Sequence, residues 1–509
     1  VFFSAVSFCG ALELVGKEGV LYSGENTDWK AFLEGELRLA YDSTARILTL
    51  DYNDKSDLQN YMGYQWYTGL GVSYLEKYEG YIKIASYGPA EYDAPVVPRG
   101  QVHTLWGDVG EYWGKKLLPR LEEWWVDAPL DPVPARVKTG LFCYTVGSGL
   151  ALGGDYEKYG VNLYHENDNF EWTAHFDVPD IDHKWYLGPK LIAEKEAFNI
   201  RYDTKAYFFA TDMVIKFGDN MIQPYAGFLA DMTPWARRSS VYDVRVDKDY
   251  LGTYGGYLNL NFGEFSLFAE SAANFGKAVS ADPGYCDMKH TGYMFFTGAS
   301  YSFRDDRIVP RARFFYISGN KFTGGDITDG QIVKSANREF SVYSPTDSNL
   351  ADTHYPAFDM GPYVFSGMGD NLNQGIPRPN TFGDPYQMSN LIAPAAGIDI
   401  RLTDKFSVSL DYWYLHTEQL PVGADYDPVK DEYHPYTLPG DLGSEFDIYA
   451  EYSVNDNIRY SFLAGIFFPG DYYRKRRGDE DAAGIAASPR FDGGASNAWV
   501  IEAAVTYVF

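Results

Sequence analysis

The chain ends on a segment that alternates to its final residue. Trp499, Ile501, Ala503, Val505, Tyr507 and Phe509 fall on one face, and Ala498, Val500, Glu502, Ala504, Thr506 and Val508 on the other. A two-residue period is that of a strand with two unlike faces. The same period recurs along nearly the whole chain, and several hairpins can be drawn with their turns. Leu258, Leu260 and Phe262 lead through Gly263-Glu264 into Phe265, Leu267 and Ala269, leaving Asn259, Asn261, Ser266 and Glu270 opposite. Ile398, Ile400 and Leu402 lead through 403–405 into Phe406, Val408, Leu410, Tyr412 and Tyr414, with Asp399, Arg401, Ser407, Ser409 and Asp411 opposite. Phe446 to Val454 and Ile458 to Ile466 repeat the pattern about Asn455-Asp456-Asn457, with Asp447, Glu451, Ser453, Arg459 and Ser461 opposite.

A soluble sandwich also alternates, but its connections are of similar length at both ends. Here the lengths alternate too. Tight turns at 455–457, 403–405, near Asp305-Asp306 and at 263–264 fall at one end of the strands, and long segments at about 469–497, 417–444, 319–390 and 276–291 at the other. Short periplasmic turns and long extracellular loops mark a transmembrane β-barrel. The terminal aromatic residue with alternate apolar residues before it resembles the signal by which such barrels are recognised for insertion. The expected fold is all-β, a transmembrane antiparallel barrel of about 18 strands, with 16 or 20 as alternatives. No linker or composition break divides it, so residues 12–509 are read as one barrel, and the apolar 1–11 as a signal-peptide remnant or a first strand.

Composition excludes other classes. The 43 Lys+Arg against 70 Asp+Glu give a net charge of −27, the wrong sign for nucleic acid. Mean hydropathy is −0.31, and no apolar run reaches the length of a spanning helix. Cys9, Cys143 and Cys286 are too scattered for a disulfide framework, a thiolate metal site or attached haem. No cofactor, no metal and no enzymatic activity are expected.

Leu121-Glu122-Glu123-Trp124-Trp125-Val126-Asp127, then Val137-Lys138-Thr139-Gly140 and Gly147-Ser148-Gly149, resemble the early strand pair of the alginate-export family of outer-membrane porins. Leu442 to Asp447, Phe467 to Tyr473 and the last strand resemble that family's closing segments. The resemblance implies an 18-stranded barrel in a Gram-negative outer membrane that passes an anionic polyuronate outward through a basic lumen. After Gly140 the family has Arg-Gln, where this chain has Leu141-Phe142.

With the apolar face toward lipid, charged residues inside the alternation face the lumen. Candidates for a solute path are Arg38, Lys83, Arg136, Lys138, Arg201, Arg311, Arg313, Arg401 and Arg459, with Asp399 and Glu451 among the acids. The resemblance implies that Arg38, Lys83, Arg136, Lys138, Arg311, Arg313, Arg401 and Arg459 form positive strips in the lumen while the excess acid lies in the extracellular loops, particularly 319–390 and 417–444; Arg offers paired donors to carboxylates. Glu171, Thr173, His175 and Asp177 form another lumenal column, read as lining because residues two apart on a strand stand about 7 Å apart. The resulting function is a porin passing a polar or anionic solute, a polyuronate or another saccharide, by diffusion. Its partners are outer-membrane lipid and lipopolysaccharide, with no nucleic acid. The alternatives are a shell for a periplasmic electron carrier, or a plugged barrel acting as scaffold or loop-based adhesin.

Overall fold

Each backbone N–H and C=O of a strand needs a partner, and a sheet that closes on itself leaves no unpaired edge. The computed structural model describes residues 20–23, 28–45, 58–87, 120–153, 158–178, 206–232, 246–280, 287–319, 327–328, 331–332, 339–340, 343, 362–366, 390–420, 422–427, 432–475 and 495–509. Within them 18 antiparallel strands form a closed barrel. In chain order these are β1 (Trp29–Ala45), β2 (Leu58–Tyr74), β3 (Tyr78–Tyr87), β4 (Arg120–Pro129), β5 (Arg136–Phe142) and β6 (Lys158–Glu166). There follow β7 (Phe170–Asp177), β8 (Ala206–Phe217), β9 (Asn220–Asp231), β10 (Val246–Phe262), β11 (Phe265–Ser280) and β12 (Tyr293–Tyr301). The last six are β13 (Ile308–Ile317), β14 (Leu391–Thr403), β15 (Phe406–His416), β16 (Asp441–Ser453), β17 (Ile458–Pro469) and β18 (Ala498–Val508). Every strand pairs with its neighbour in sequence, and β18 closes onto β1 from Glu36↔Val508 to Ala45↔Trp499.

The hairpins read from alternation have the expected registers. Phe262 pairs with Phe265 and Leu260 with Leu267, Ile398 with Leu410, and Ile448 with Ala464. The turns at 75–77, 167–169, 218–219, 263–264, 302–307, 404–405 and 454–457 gather at one end, and the strand ends that the long connections join lie at the other. Residues 1–11 and Arg201 lie outside the described residues.

On β8 the inward Ala206, Phe208, Ala210, Asp212 and Val214 are buried, while Tyr207, Phe209, Met213, Ile215 and Phe217 are exposed. Large apolar side chains exposed around the whole circumference would be costly in water, so this exterior belongs in lipid. Two aromatic girdles bound it. Trp29, Tyr74, Tyr78, Phe262, Phe303, Tyr452 and Tyr460 mark the turn end, and Tyr254, Phe275, Tyr293, Tyr414 and Phe468 the loop end.

The lumen departs from an open cylinder. Gly147-Ser148-Gly149, which resembled part of a strand, belongs to a connection folded inward. After β5 ends at Phe142, Thr145–Val146 pairs with Leu152–Gly153 in a small hairpin. Its Leu150, Ala151 and Leu152 are buried and join a cluster with Phe208, Tyr225 and Leu229. From the connection between β13 and β14, helix α1 (Tyr363–Ser366) also enters the barrel, with Val364 and Phe365 buried.

Candidate functional site

The two infolded segments hold to the wall by polar groups that alternation places inward. Gln223 of β9 accepts from the Gly147 amide at 3.2 Å and donates to Asp212 at 2.9 Å, and Asp212 accepts from Tyr144 at 2.8 Å. Glu270 of β11 accepts from the Ser148 amide at 3.0 Å, from the Ser148 hydroxyl, and from Tyr225 at 2.7 Å. The bonds to the Asp212 and Glu270 carboxylates are charge-assisted and lie in a buried site, the stronger kind. At α1, Glu445 of β16 accepts the amides of Val364 at 2.5 Å and Phe365 at 2.8 Å. Phe365 lies 5.8 Å from the ring of Phe467. The two insertions meet where the Tyr343 hydroxyl donates to the Ala151 carbonyl at 3.4 Å.

His175 serves the first insertion. Its ring stacks on Tyr144 at 4.3 Å and 3°, bonds Asn162, and contacts Asp177 at 2.9 Å. That last contact joins residues two apart, which strand spacing alone places beyond hydrogen-bond reach; the side chains lean along the strand to meet. The column is packed beneath Tyr144 as wall.

Leu152 rests over Gly227 of β9, where any Cβ would collide with its side chain. Gly227→Val is therefore expected to displace the hairpin by overpacking, at about 1–3 kcal/mol. Chymotrypsin should then cut within 143–153 of the folded protein, where the parent resists.

The candidate solute-path residues face the lumen in pairs rather than in positive strips. Arg311 of β13 forks onto Asp411 of β15, Nε to Oδ1 at 3.2 Å and Nη2 to Oδ2 at 2.6 Å, and also bonds Asp399 of β14. Gly397, the residue between them in register, makes this reach across a strand possible, since a Cβ there would strike the Asp411 carboxylate. Ser409 donates to Asp399 at 2.6 Å. Arg313 lies 3.9 Å from Asp411 and over the Trp413 ring at 5.8 Å. Arg38 donates to Glu502 across the closing seam at 2.6 Å. Arg459, with half its side chain exposed, lies 3.6 Å from Glu451, which accepts from Tyr449 at 3.0 Å.

On the other wall, Arg136 donates to Asp127 at 2.9 Å and bonds Tyr164. Lys83 stands 4.6 Å over the Tyr67 ring and Lys138 4.0 Å over that of Trp125. Arg401 is exposed beside the 404–405 turn. A cation two residues from a carboxylate on the same or next strand face is drawn to it, so the expectation of continuous positive strips is replaced by a lining of alternating sign. Sequence reading missed Asp411, Asp212, Gln223 and Glu445 as site residues; their signal was polarity at inward positions of otherwise apolar strands.

No protein-family model matches the chain, and no curated protein matches it. The resemblance to the alginate-export family thus has no family match behind it. Solved structures do match over nearly the full length. The outer membrane protein OprD from Pseudomonas aeruginosa is 10% identical, with 97% of this chain and 96% of that chain covered and a TM-score of 0.47. OccK9 (OpdG) from P. aeruginosa is 10% identical, with 94% and 98% covered and a TM-score of 0.49. A BenF-like porin from Pseudomonas fluorescens Pf-5 is 10% identical, with 94% and 98% covered and a TM-score of 0.46.

Proposed function

We propose that this chain is a porin of a Gram-negative outer membrane, passing small polar solutes by diffusion through a lumen narrowed by two infolded segments. The observation that carries the reading is the lining: a closed 18-strand barrel with an apolar exterior has Arg, Lys, Asp and Glu inward, in pairs that remain partly open to water. Paired charges across a lumen create a transverse field that orients a dipolar solute without trapping an ion of either sign. This favours a small polar solute over a polyuronate, whose many carboxylates would need an excess of cations that Asp399, Asp411, Glu451 and Glu502 remove.

The purified protein in a planar bilayer is expected to give discrete ionic conductance; a sealed bilayer would favour the scaffold or shell reading. Arg401 and Arg459 are the more exposed cations of the candidate set and stand near the turn end. Replacing both by Ser is expected to shift the reversal potential in a KCl gradient toward cations, with a several-fold fall in anion over cation permeability. An unchanged reversal potential would remove these residues from the conducting path.

A further inference from the structure

On the wall formed by β1–β5, Phe32, Tyr81 and Trp125 occupy one row across the sheet, with Gly71 between the first two. Adjacent rings are 6.4 and 5.6 Å apart, with interplanar angles of 23° and 25°, so neighbouring rings of the row run nearly parallel. Glycine decides their orientation. A Cβ on Gly71 would strike the far end of the Phe32 ring, and one on Gly69 the hydroxyl end of Tyr81. Both rings therefore lie flat across the backbone of β2 and turn their faces inward. The Tyr81 hydroxyl is fixed in this pose by Glu34 of β1 at 2.5 Å. Phe32 keeps 37% of its surface exposed.

The rim of the row carries both signs. Glu34 accepts from Tyr81, and Glu123 accepts from the Trp125 indole at 2.9 Å. Lys138 lies over the outer end of the row, on Trp125, and Lys83 stands nearby over Tyr67. An aromatic platform edged by donors and acceptors is matched by a ring with C–H faces and equatorial hydroxyls, because a hydroxyl bonds either sign. A carboxylated ring would meet Glu34 and Glu123, and a cationic one Lys83 and Lys138, each a repulsive element.

We propose that Phe32 and Tyr81, bordered by Trp125, form a stacking platform that binds a neutral saccharide in the turn-side half of the lumen. This deepens the porin reading and rests on it for the route by which the sugar arrives, but binding itself needs no open channel. The test is calorimetric titration of the full chain, held in an amine-oxide detergent free of sugar, with maltopentaose, cellopentaose and trigalacturonate. At least one neutral oligosaccharide is expected to bind saturably and more tightly than trigalacturonate. Phe32→Ala with Tyr81→Ala should weaken it about tenfold or more, while Tyr81→Phe, which keeps the ring, should stay near the parent. A β-sheet far-UV spectrum for the double variant excludes misfolding as the cause. Absence of binding by both neutral sugars, tighter binding of trigalacturonate, or equal affinity in the double variant overturns the proposal. A silent bilayer with intact sugar binding would instead count against the porin reading alone.

Discussion

Replacing Glu445 by Ala is expected to release helix α1 from the barrel wall and raise the ionic conductance severalfold. Glu445 is fully buried and accepts two amides from the first turn of that helix, whose leading N–H groups have no partner within the helix. Each bond to a charged acceptor contributes about 1.5–3 kcal/mol, and the substitution leaves both donors unsatisfied. Losing about 3 kcal/mol of docking changes the docked-to-released ratio by roughly 100-fold. Glu445→Gln keeps one carbonyl acceptor and is expected to fall between. Single-channel recording checks both; identical conductance in all three proteins would show that α1 does not gate the lumen.

Arg311→Ala is expected to be the most destabilising single change in the lining. The guanidinium is the shared partner of Asp399 and Asp411, and its removal leaves two carboxylates on adjacent strands, with Arg313 3.9 Å from one of them. Asp411 is nearly buried while Asp399 is 40% exposed, so leaving them without their shared partner is expected to cost about 1–3 kcal/mol, more than deleting all three charges together. The urea midpoint of the detergent-solubilised barrel should fall accordingly, and Asp399→Asn with Asp411→Asn in the Arg311→Ala background should recover much of the loss. Failure of that rescue would mean that Arg311 acts through packing rather than charge.

The barrel was legible because closure imposes one rule on every strand. Residues such as Trp499 to Phe509, and the pairs about 263–264 and 455–457, carry inside and outside in a two-residue period. The infolded segments were not, because a segment that packs inside a lumen has no periodicity of its own. Leu150-Ala151-Leu152 and Val364-Phe365 are ordinary short apolar runs in loops until Gly227, Glu270 and Glu445 are known to face them. The candidate cations among the described residues share a strand face with Asp399, Asp411, Glu451 and Glu502, but periodicity shows each charge without its partner. Whether Arg311 meets a solute or Asp411 depends on Gly397, one strand away, and the register that sets Arg311 beside Gly397 runs across the long connection at 319–390, where no tight turn fixes it.

The seam between β18 and β1 has a consequence for the order of assembly. Arg38 and Glu502, which bridge it, are 464 positions apart in the chain, whereas each of the other pairings among the 18 barrel strands joins neighbours in sequence. Local hairpins can zip one after another, but the seam must wait until the whole sheet exists, and its loop-closure entropy is repaid only then. Until that moment the growing sheet has two open edges, each a template for another chain. Variants that weaken the seam, such as Arg38→Ala, should thus slow the last step of refolding into detergent while leaving the appearance of β structure fast, a separation that time-resolved circular dichroism and a protease-protection assay would resolve.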